Sequence, residues 1–512
     1  MTRPVVPLDG RSLTCGQVRD LARGLAVARV SADGLDRAGA AARTAAEIAA
    51  RREVYGRTTG VGANRDQRVG EADLAGHGLR LLRSHAGGSG PLIAPELSRA
   101  MLVVRANQIA AGGSGVDPGV LGPLLDGVNA GLSVPVPSYG AIGTGDLTAL
   151  AMAALCLLGE RDWRPGPRSW PAAGADPAAA RASLPRVPRA SADALAFLSS
   201  NAATVGEAAL ACADLADLAG TAIVIAALSH RAVDASAQPY AVPVHEARRY
   251  PGQRAVAAAL RGLIGEVTDG GPESDAGGRD GVRRRIQDPY GYRALPQVHG
   301  PFTDAVEQAR RTVTIELNAA AENPLIDVAG GTVWHNGNFH TAYVGLALDG
   351  LRAALFQTAA LSAARLGTLV EPAFTGLPPF LATDPQPSSG IMILEYVAHS
   401  AVADIRRLAA PAALGSAVLS RGVEEHAGFS TQAARATTDV AGAYRTVLGC
   451  ELVAAVRALR MRGIRPRSRR LDAAFTLAAG ALPEGTADRA LDTDLAAALG
   501  LLPALAAFAG LG

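Results

Sequence analysis

The sequence predicts a mainly α-helical protein organised around a long helical bundle, and three observations predict it. Apolar residues recur at three- and four-residue spacing over several long windows. Hydrophobic residues make up 49% of the 512 and aromatics only 4%, so the core is built from Ala, Leu and Val, a composition that suits closely packed helices. Strand signals are sparse; the stretch "GGTVWHNGNFH" offers one short candidate.

Taken along the chain, "DRAGAAARTAAEIAARREV" (36–54) and "PELSRAMLVVRANQIAAG" (95–112) read as the first long helices. "GEAALACADLADLAGTAIVIAALSH" (206–230), "FTDAVEQARRTVTIELNAAAEN" (302–323) and "YVGLALDGLRAALFQTAALSAARLG" (343–367) follow, several of them too apolar for a surface and suited to a bundle interior. A Pro-, Ala- and Arg-rich stretch at about 160–191 and a polar Gly-rich one at 269–285 read as loops. The expected division is an N-terminal domain over 1–205 and a helical bundle with the C-terminal helical part over 206–512. The C-terminal "LAAALGLLPALAAFAGLG" is uncharged, but Pro503 and its glycines favour a helical hairpin packed on the body over a membrane span.

Composition excludes some classes of function. A net charge of +2 gives no footprint for nucleic acid or an acidic membrane surface. Cys15, Cys156, Cys212 and Cys450 lie far apart with no C-x-x-C pair, and the N-terminus has no apolar signal core, so a reduced, cytoplasmic protein is expected. There is no phosphate-binding P-loop, no dinucleotide fingerprint and no HExxH. His335 and His340 stand five apart, a poor spacing for two ligands on one helix face, so no metal is expected.

One stretch raises a chemical question. In "PSYGAIGTGDLTALAMAAL", Gly143-Thr144-Gly145 precedes an apolar helix with Asp146 at the N-cap position. It reads either as an ordinary Gly-rich turn or as a tripeptide able to cyclise. In the second case the Gly145 nitrogen attacks the Gly143 carbonyl and the middle residue loses water, glycine at both ends allowing the tight fold.

The surroundings of this tripeptide resemble the histidine/phenylalanine ammonia-lyase family, the aromatic amino acid lyases. "GAIGTGDLTAL" stands in register with the stretch that carries that family's Ala-Ser-Gly, from which a 4-methylidene-imidazol-5-one (MIO) electrophile forms. "VYGRTTGVG" (54–62), "RSHAGGSG" (83–90), "RANQIAAGGSGV", "QDPYGYRALPQVHG" (287–300), "ELNAAAENPL", "GNFH", "GLPPFL", "SSGIMI" and "VEEHAG" resemble further family segments in the same order. The resemblance implies a lyase or fumarase-like central bundle with an N-terminal domain carrying the ring-forming loop, and a homotetramer with shared active sites.

It also implies roles. Tyr55 matches the catalytic base, and a tyrosine that titrates near 10 would need a lowered pKa to serve. Arg293 matches the arginine that holds the substrate carboxylate. Tyr290 and Gln287 match residues near the electrophile, and Asn338 and Phe339 match pocket positions. His85 and Glu424 resemble histidine lyases more than phenylalanine lyases, since Glu424 suits an imidazole and His85 a polar side chain.

The departures cluster at the electrophile. The family's Ala is Gly143, a mild change, and its Ser is Thr144, whose dehydration gives an ethylidene ring with a methyl on the carbon under attack. In "LSSNAAT" Ser199 takes the place of the family's Asn unless Asn201 serves, and Ala149 replaces a Pro. The expected activity is that of an amino acid ammonia-lyase or aminomutase-like enzyme acting on an aromatic or histidine-like amino acid with Tyr55 as base. Its cofactor is a methyl-substituted MIO-type ring or none. The alternatives are a ring-free lyase-fold enzyme doing another elimination, addition or isomerisation, and a non-catalytic binding protein.

Overall fold

Helices form where the apolar periodicity places them. The computed structural model describes residues 3–166, 193–265, 286–384 and 386–510. The expected loop at 269–285 lies outside the described residues, as does most of the one at 160–191. The five periodic windows become helices Ala32–Ala49, Pro95–Ala111, Ala202–Ala232, Leu295–Leu317 and Ala342–Val370, and a sixth long helix spans Ser430–Met461. Strands are short and paired in twos. The predicted strand is Thr332–Trp334, which pairs antiparallel with Leu325–Asp327.

The chain forms two compact units interleaved in sequence. The first comprises Met1–Ala213, Ala309–Asp349 and Pro411–Thr438; the second comprises Asp214–Gln308, Gly350–Ala410 and Asp439–Gly512. Residues 309–349 and 411–438 thus join the N-terminal part.

In the first unit the helix Pro95–Ala111 is the centre. Every residue from Leu97 to Ala110 is buried, and helices Cys15–Ala22, Ala32–Ala49 and Leu121–Asn129 pack on it. Such all-round burial forces its polar residues to find partners. Asn107 accepts from the Gly10 N–H (2.8 Å) and donates to the Leu317 carbonyl (2.9 Å). Arg105 donates to the carbonyls of Ala196 (2.6 Å) and Phe197 (3.1 Å) and pairs with Glu322 at 2.8 Å, both side chains buried. This guanidinium pins the segment that leads to Ser199 and Asn201. The hairpin 325–334 packs through Ile326 and Val333 on Ala41, Ala45 and Ile48 of helix Ala32–Ala49, together with Val54.

The second unit is a bundle with a charge at its heart. The Glu451 carboxylate accepts from Arg365 Nε (2.6 Å) and Nη2 (2.8 Å), from Ser229 Oγ (2.7 Å) and from Ser362 Oγ, all of them buried. The glutamate raises the Arg365 pKa against the opposing effect of burial. At the C-terminus the expected hairpin is instead a single helix, Asp492–Leu505, followed by a short turn Ala506–Phe508 and packed on helix Arg469–Ala481. Pro503 sits in its last turn, where the missing N–H costs little. The stretches Ala194–Ala232 and Ala342–Val370 are apolar and long enough to cross a membrane; 83% of the apolar window of the first and 50% of that of the second are buried inside the protein.

Candidate active site

The 143–145 loop is fastened on both sides within the first unit. Strand Pro137–Tyr139, paired with Ser89–Leu92, delivers the chain to it, and helix Leu147–Leu157 carries the chain away. The Ile142 carbonyl accepts from the Phe429 N–H (2.9 Å) and that of Ala141 from Gln432 Nε2 (2.9 Å). Gly143 and Gly145 have φ of +89° and +108°, which glycine adopts without strain. A Cβ on Gly143 would stand 2.5 Å from Ser430 Oγ and 2.8 Å from the Ser430 nitrogen. The exchange of Ala for Gly is therefore not a mild one here: this loop conformation requires the glycine.

Both atoms that would join on cyclisation have polar partners. The Gly145 N–H donates to Asn201 Oδ1 at 2.9 Å. The Gly143 carbonyl accepts from the Thr341 N–H (3.4 Å) and from Thr341 Oγ1 (3.3 Å). Asn201 also donates through Nδ2 to the Phe339 carbonyl. The Ser199 hydroxyl is engaged elsewhere: it donates to the Asn323 carbonyl (3.3 Å) and accepts from the Asn323 N–H (2.9 Å). Of the two candidates, Asn201 is the one that touches the loop. The tight backbone, the polarised carbonyl and the acceptor on the attacking nitrogen fit a tripeptide disposed to close into a ring.

Asp146 holds the N-cap position of helix Leu147–Leu157 but makes no side-chain bond to it. Its buried carboxylate instead accepts the Thr204 N–H (2.7 Å) and hydroxyl (2.9 Å), satisfying a donor at the start of helix Ala202–Ala232. Thr204 Oγ1 also meets Thr431 Oγ1 at 2.7 Å. Burial outweighs these bonds and pushes the Asp146 pKa from 3.8 up to about 6.

Tyr55 stands on a tight turn. Gly56 follows it at φ +71°, and a Cβ there would overlap the Leu195 side chain. The Tyr55 hydroxyl accepts the Gly62 N–H at 2.8 Å, and its ring meets His335 edge-on with centroids 6.4 Å apart. Ser420 Oγ accepts the Ala63 N–H at 2.9 Å, which ties the 420s to this turn. The Tyr55 pKa is raised rather than lowered: burial dominates, the Gly62 N–H opposes it, the Glu424 charge adds to it and Arg65 opposes it. The expectation of a depressed tyrosine fails because a desolvated phenolate beside a carboxylate is disfavoured.

Two segments bridge Tyr55 and the loop. Residues 335–341 bring His335 to Tyr55, and Phe339 and Thr341 to the loop and its Asn201. Residues 420–430 bring Ser420 and Glu424 to the tyrosine turn, and Phe429 and Ser430 to the loop. His340 Nε2 and His426 Nδ1, one from each segment, lie 2.9 Å apart. Asn338 is exposed, its N–H donating to Asn336 Oδ1 (2.8 Å). His85 ends helix Glu71–His85, and its Nδ1 donates to the Leu81 carbonyl (2.9 Å), which leaves Nε2 as an acceptor. No group of three or more His, Cys, Asp or Glu side chains able to hold a metal ion occurs among the described residues.

Gln287, Tyr290 and Arg293 belong to the second unit. Gln287 is exposed, Tyr290 is 65% exposed, and the Arg293 guanidinium lies 4.6 Å from the Tyr290 ring centroid while its Nε donates to the Asp288 carbonyl (3.3 Å). Sequence reasoning missed Thr341, Ser430 and Thr204. Their signal was only adjacency: Thr341 directly follows "GNFH", and Ser430 lies two residues past "VEEHAG".

Comparisons with known proteins agree with this geometry. The sequence profile described as aromatic amino acid lyase matches residues 13–479. The histidine ammonia-lyase of Geobacillus thermodenitrificans is 36% identical over 498 residues, 96% of each chain. Among solved structures, histidine ammonia-lyase from Trypanosoma cruzi superposes with a TM-score of 0.86 at 27% identity, covering 99% of this chain and 95% of that one. Tyrosine aminomutase from Streptomyces globisporus gives 0.87 at 28%, covering 99% and 97%.

Proposed function

The chain belongs to the aromatic amino acid lyase family and is an amino acid ammonia-lyase or aminomutase-like enzyme, and on that premise we propose that Gly143, Thr144 and Gly145 close into a methyl-substituted MIO-type ring that serves elimination or transfer of ammonia on an aromatic or histidine-like amino acid. The observation that carries this reading is the pairing of the Gly145 N–H with Asn201 and of the Gly143 carbonyl with Thr341. The ring, once formed, supplies an electrophile for the substrate amine. Tyr55 takes the β-proton. Arg293 holds the carboxylate through its fork, with Tyr290 and Gln287 beside it. Asn201 fixes the loop, Asn338 and Phe339 line the pocket, and Ser199 supports it through Asn323. His85 Nε2 and Glu424 offer an acceptor and a charge to an imidazole side chain, which favours a histidine-like substrate.

The second unit's residues serve a site assembled from more than one subunit, and we place the protein in the cytoplasm as a homotetramer. Four buried free cysteines support the first part of that statement. Exposed apolar side chains on long helices support the second: Tyr343 (79% exposed) and Leu346 (65%), and separately Tyr396 (66%).

Intact mass tests the ring. Closure with dehydration removes two waters, about 36 Da, and ammonia should be released from an aromatic or histidine-like amino acid. Tyr55→Phe should keep the mass loss and reduce kcat by about a hundredfold or more. An unmodified 143–145 backbone in an active enzyme would replace the ring with a ring-free elimination, and full activity in Tyr55→Phe would remove the tyrosine from the chemistry.

A further inference from the structure

We propose that Thr341 and Ser430 form the catalytic pair for closure of the 143–145 ring, Thr341 binding the oxygen that leaves and Ser430 orienting Thr341. The proposal rests on the reading that the ring forms. Thr341 presents two donors, its N–H at 3.4 Å and its hydroxyl at 3.3 Å, to the Gly143 carbonyl oxygen. Both are fixed before any reaction, because Thr341 is fully buried and heads the helix Ala342–Val370. Its hydroxyl lies 2.6 Å from Ser430 Oγ. A hydroxyl carries a single hydrogen, and that of Thr341 points to the carbonyl, so Ser430 must be the donor in the second bond. The result is a one-way chain from Ser430 through Thr341 to Gly143, in a site where Ser430 is also fully buried.

The chain of donors matches the charge that closure develops. The Gly145 nitrogen bonds to the Gly143 carbonyl carbon, and the carbonyl π pair moves onto oxygen, directly between the two Thr341 donors. The proton of the Gly145 nitrogen, held towards Asn201 Oδ1, and that of the Thr144 nitrogen reach this oxygen, the C–O bond breaks and one water leaves. The carbon is then doubly bonded to the Thr144 nitrogen. Loss of the Thr144 α-hydrogen and hydroxyl as a second water completes the conjugated system with no oxidant. Thr341 lends its proton to the alkoxide and recovers it, with Ser430 reorienting in concert.

Gly143 belongs to the same arrangement. Ser430 Oγ and nitrogen occupy the space a Cβ at 143 would need, 2.5 and 2.8 Å away. The chain holds a hydroxyl donor where an alanine at 143 would have put a methyl group.

The experiment is a cell-free synthesis of the full chain, sampled over time by intact mass, with folding followed by near-ultraviolet circular dichroism. Thr341→Val keeps the shape, loses the hydroxyl donor and keeps the backbone N–H; it should fold as the natural protein does and lose its two waters on the order of tenfold to a hundredfold more slowly. Thr341→Ser should restore the rate, which a packing role for the threonine methyl would not allow. Ser430→Ala leaves the Thr341 hydroxyl unoriented and should slow closure by a smaller factor; it decides the matter if Thr341→Val does not fold. Closure at the natural rate in folded Thr341→Val, or in Ser430→Ala where that variant decides, overturns this proposal alone. A natural chain that never loses the two waters overturns it together with the ring reading.

Discussion

Burial raises the Tyr55 pKa most, and the Glu424 charge raises it further, while the Gly62 N–H and Arg65 pull the other way. A base has to be ionised before it can take a proton, so the population of phenolate limits the rate wherever the pH is below the Tyr55 pKa. With that pKa raised from its ordinary value of 10.0, kcat/KM should still be climbing at alkaline pH rather than levelling near neutrality. Glu424→Gln removes a negative charge beside the phenolate and keeps a side chain of similar size. The phenolate gains stability, the Tyr55 pKa falls, and the rising limb of the pH profile should move to lower pH. Profiles of both proteins with the same substrate check this, and a limb that stays in place or moves upward would contradict the assignment of Tyr55 as base. The same exchange should weaken an imidazole substrate more than a phenyl one, since only the imidazole offers Glu424 a hydrogen bond.

At the scale of elements, the helix starts carry the second prediction. Asp146 does not cap its own helix but closes the first turn of helix Ala202–Ala232 through Thr204. Its pKa is raised from 3.8 to about 6 by burial. A carboxyl whose folded pKa lies above its unfolded one contributes stability that is complete below the unfolded value and is lost as pH rises through the folded value. Ionised Asp146 therefore costs the folded state on the order of 3 kcal/mol by neutral pH. Asn can replace it without that cost: its oxygen accepts the Thr204 N–H, and its NH2 meets the Thr204 hydroxyl, which turns to donate to Thr431. In urea titrations, Asp146→Asn should gain on the natural protein by on the order of 3 kcal/mol between pH 4 and pH 8. Other titrating groups cancel in the difference.

The helices themselves were legible because a 3.6-residue apolar period survives even where a helix such as Pro95–Ala111 is buried on every side. The direction of the Asp146 side chain was not, because an N-cap residue and a cross-helix cap have the same one-letter pattern. The choice between Ser199 and Asn201 and the pairing of Thr341 with Ser430 were hidden for a related reason: 89 positions separate the last two in the chain, and only the fold sets their hydroxyls 2.6 Å apart.

For the whole molecule, the question is what covers the long apolar helices. Helix Ala342–Val370 is apolar enough to span a bilayer, yet only 50% of its apolar window is buried inside the protein. Its first turns expose Tyr343 at 79% and Leu346 at 65%. Leaving such side chains in water forfeits on the order of 2 kcal/mol each, so a second apolar surface, another copy of the chain or a lipid phase, would gain that energy. The helix interior also buries Ser362 and Arg365, the latter bound to Glu451. A charged network of this kind suits a helix whose other face meets protein rather than hydrocarbon. Tyr343→Arg and Leu346→Arg, made together, place two charges on the exposed face without touching the buried one. The double variant should sediment as a species smaller than the natural tetramer, retain its helical circular dichroism and stay in solution without detergent. Activity should fall with the assembly, because Arg293 and Tyr290 are assigned to a site that more than one subunit completes. A natural chain that pellets with membranes, or a double variant with unchanged sedimentation, would mean that this face is covered by something other than a second subunit.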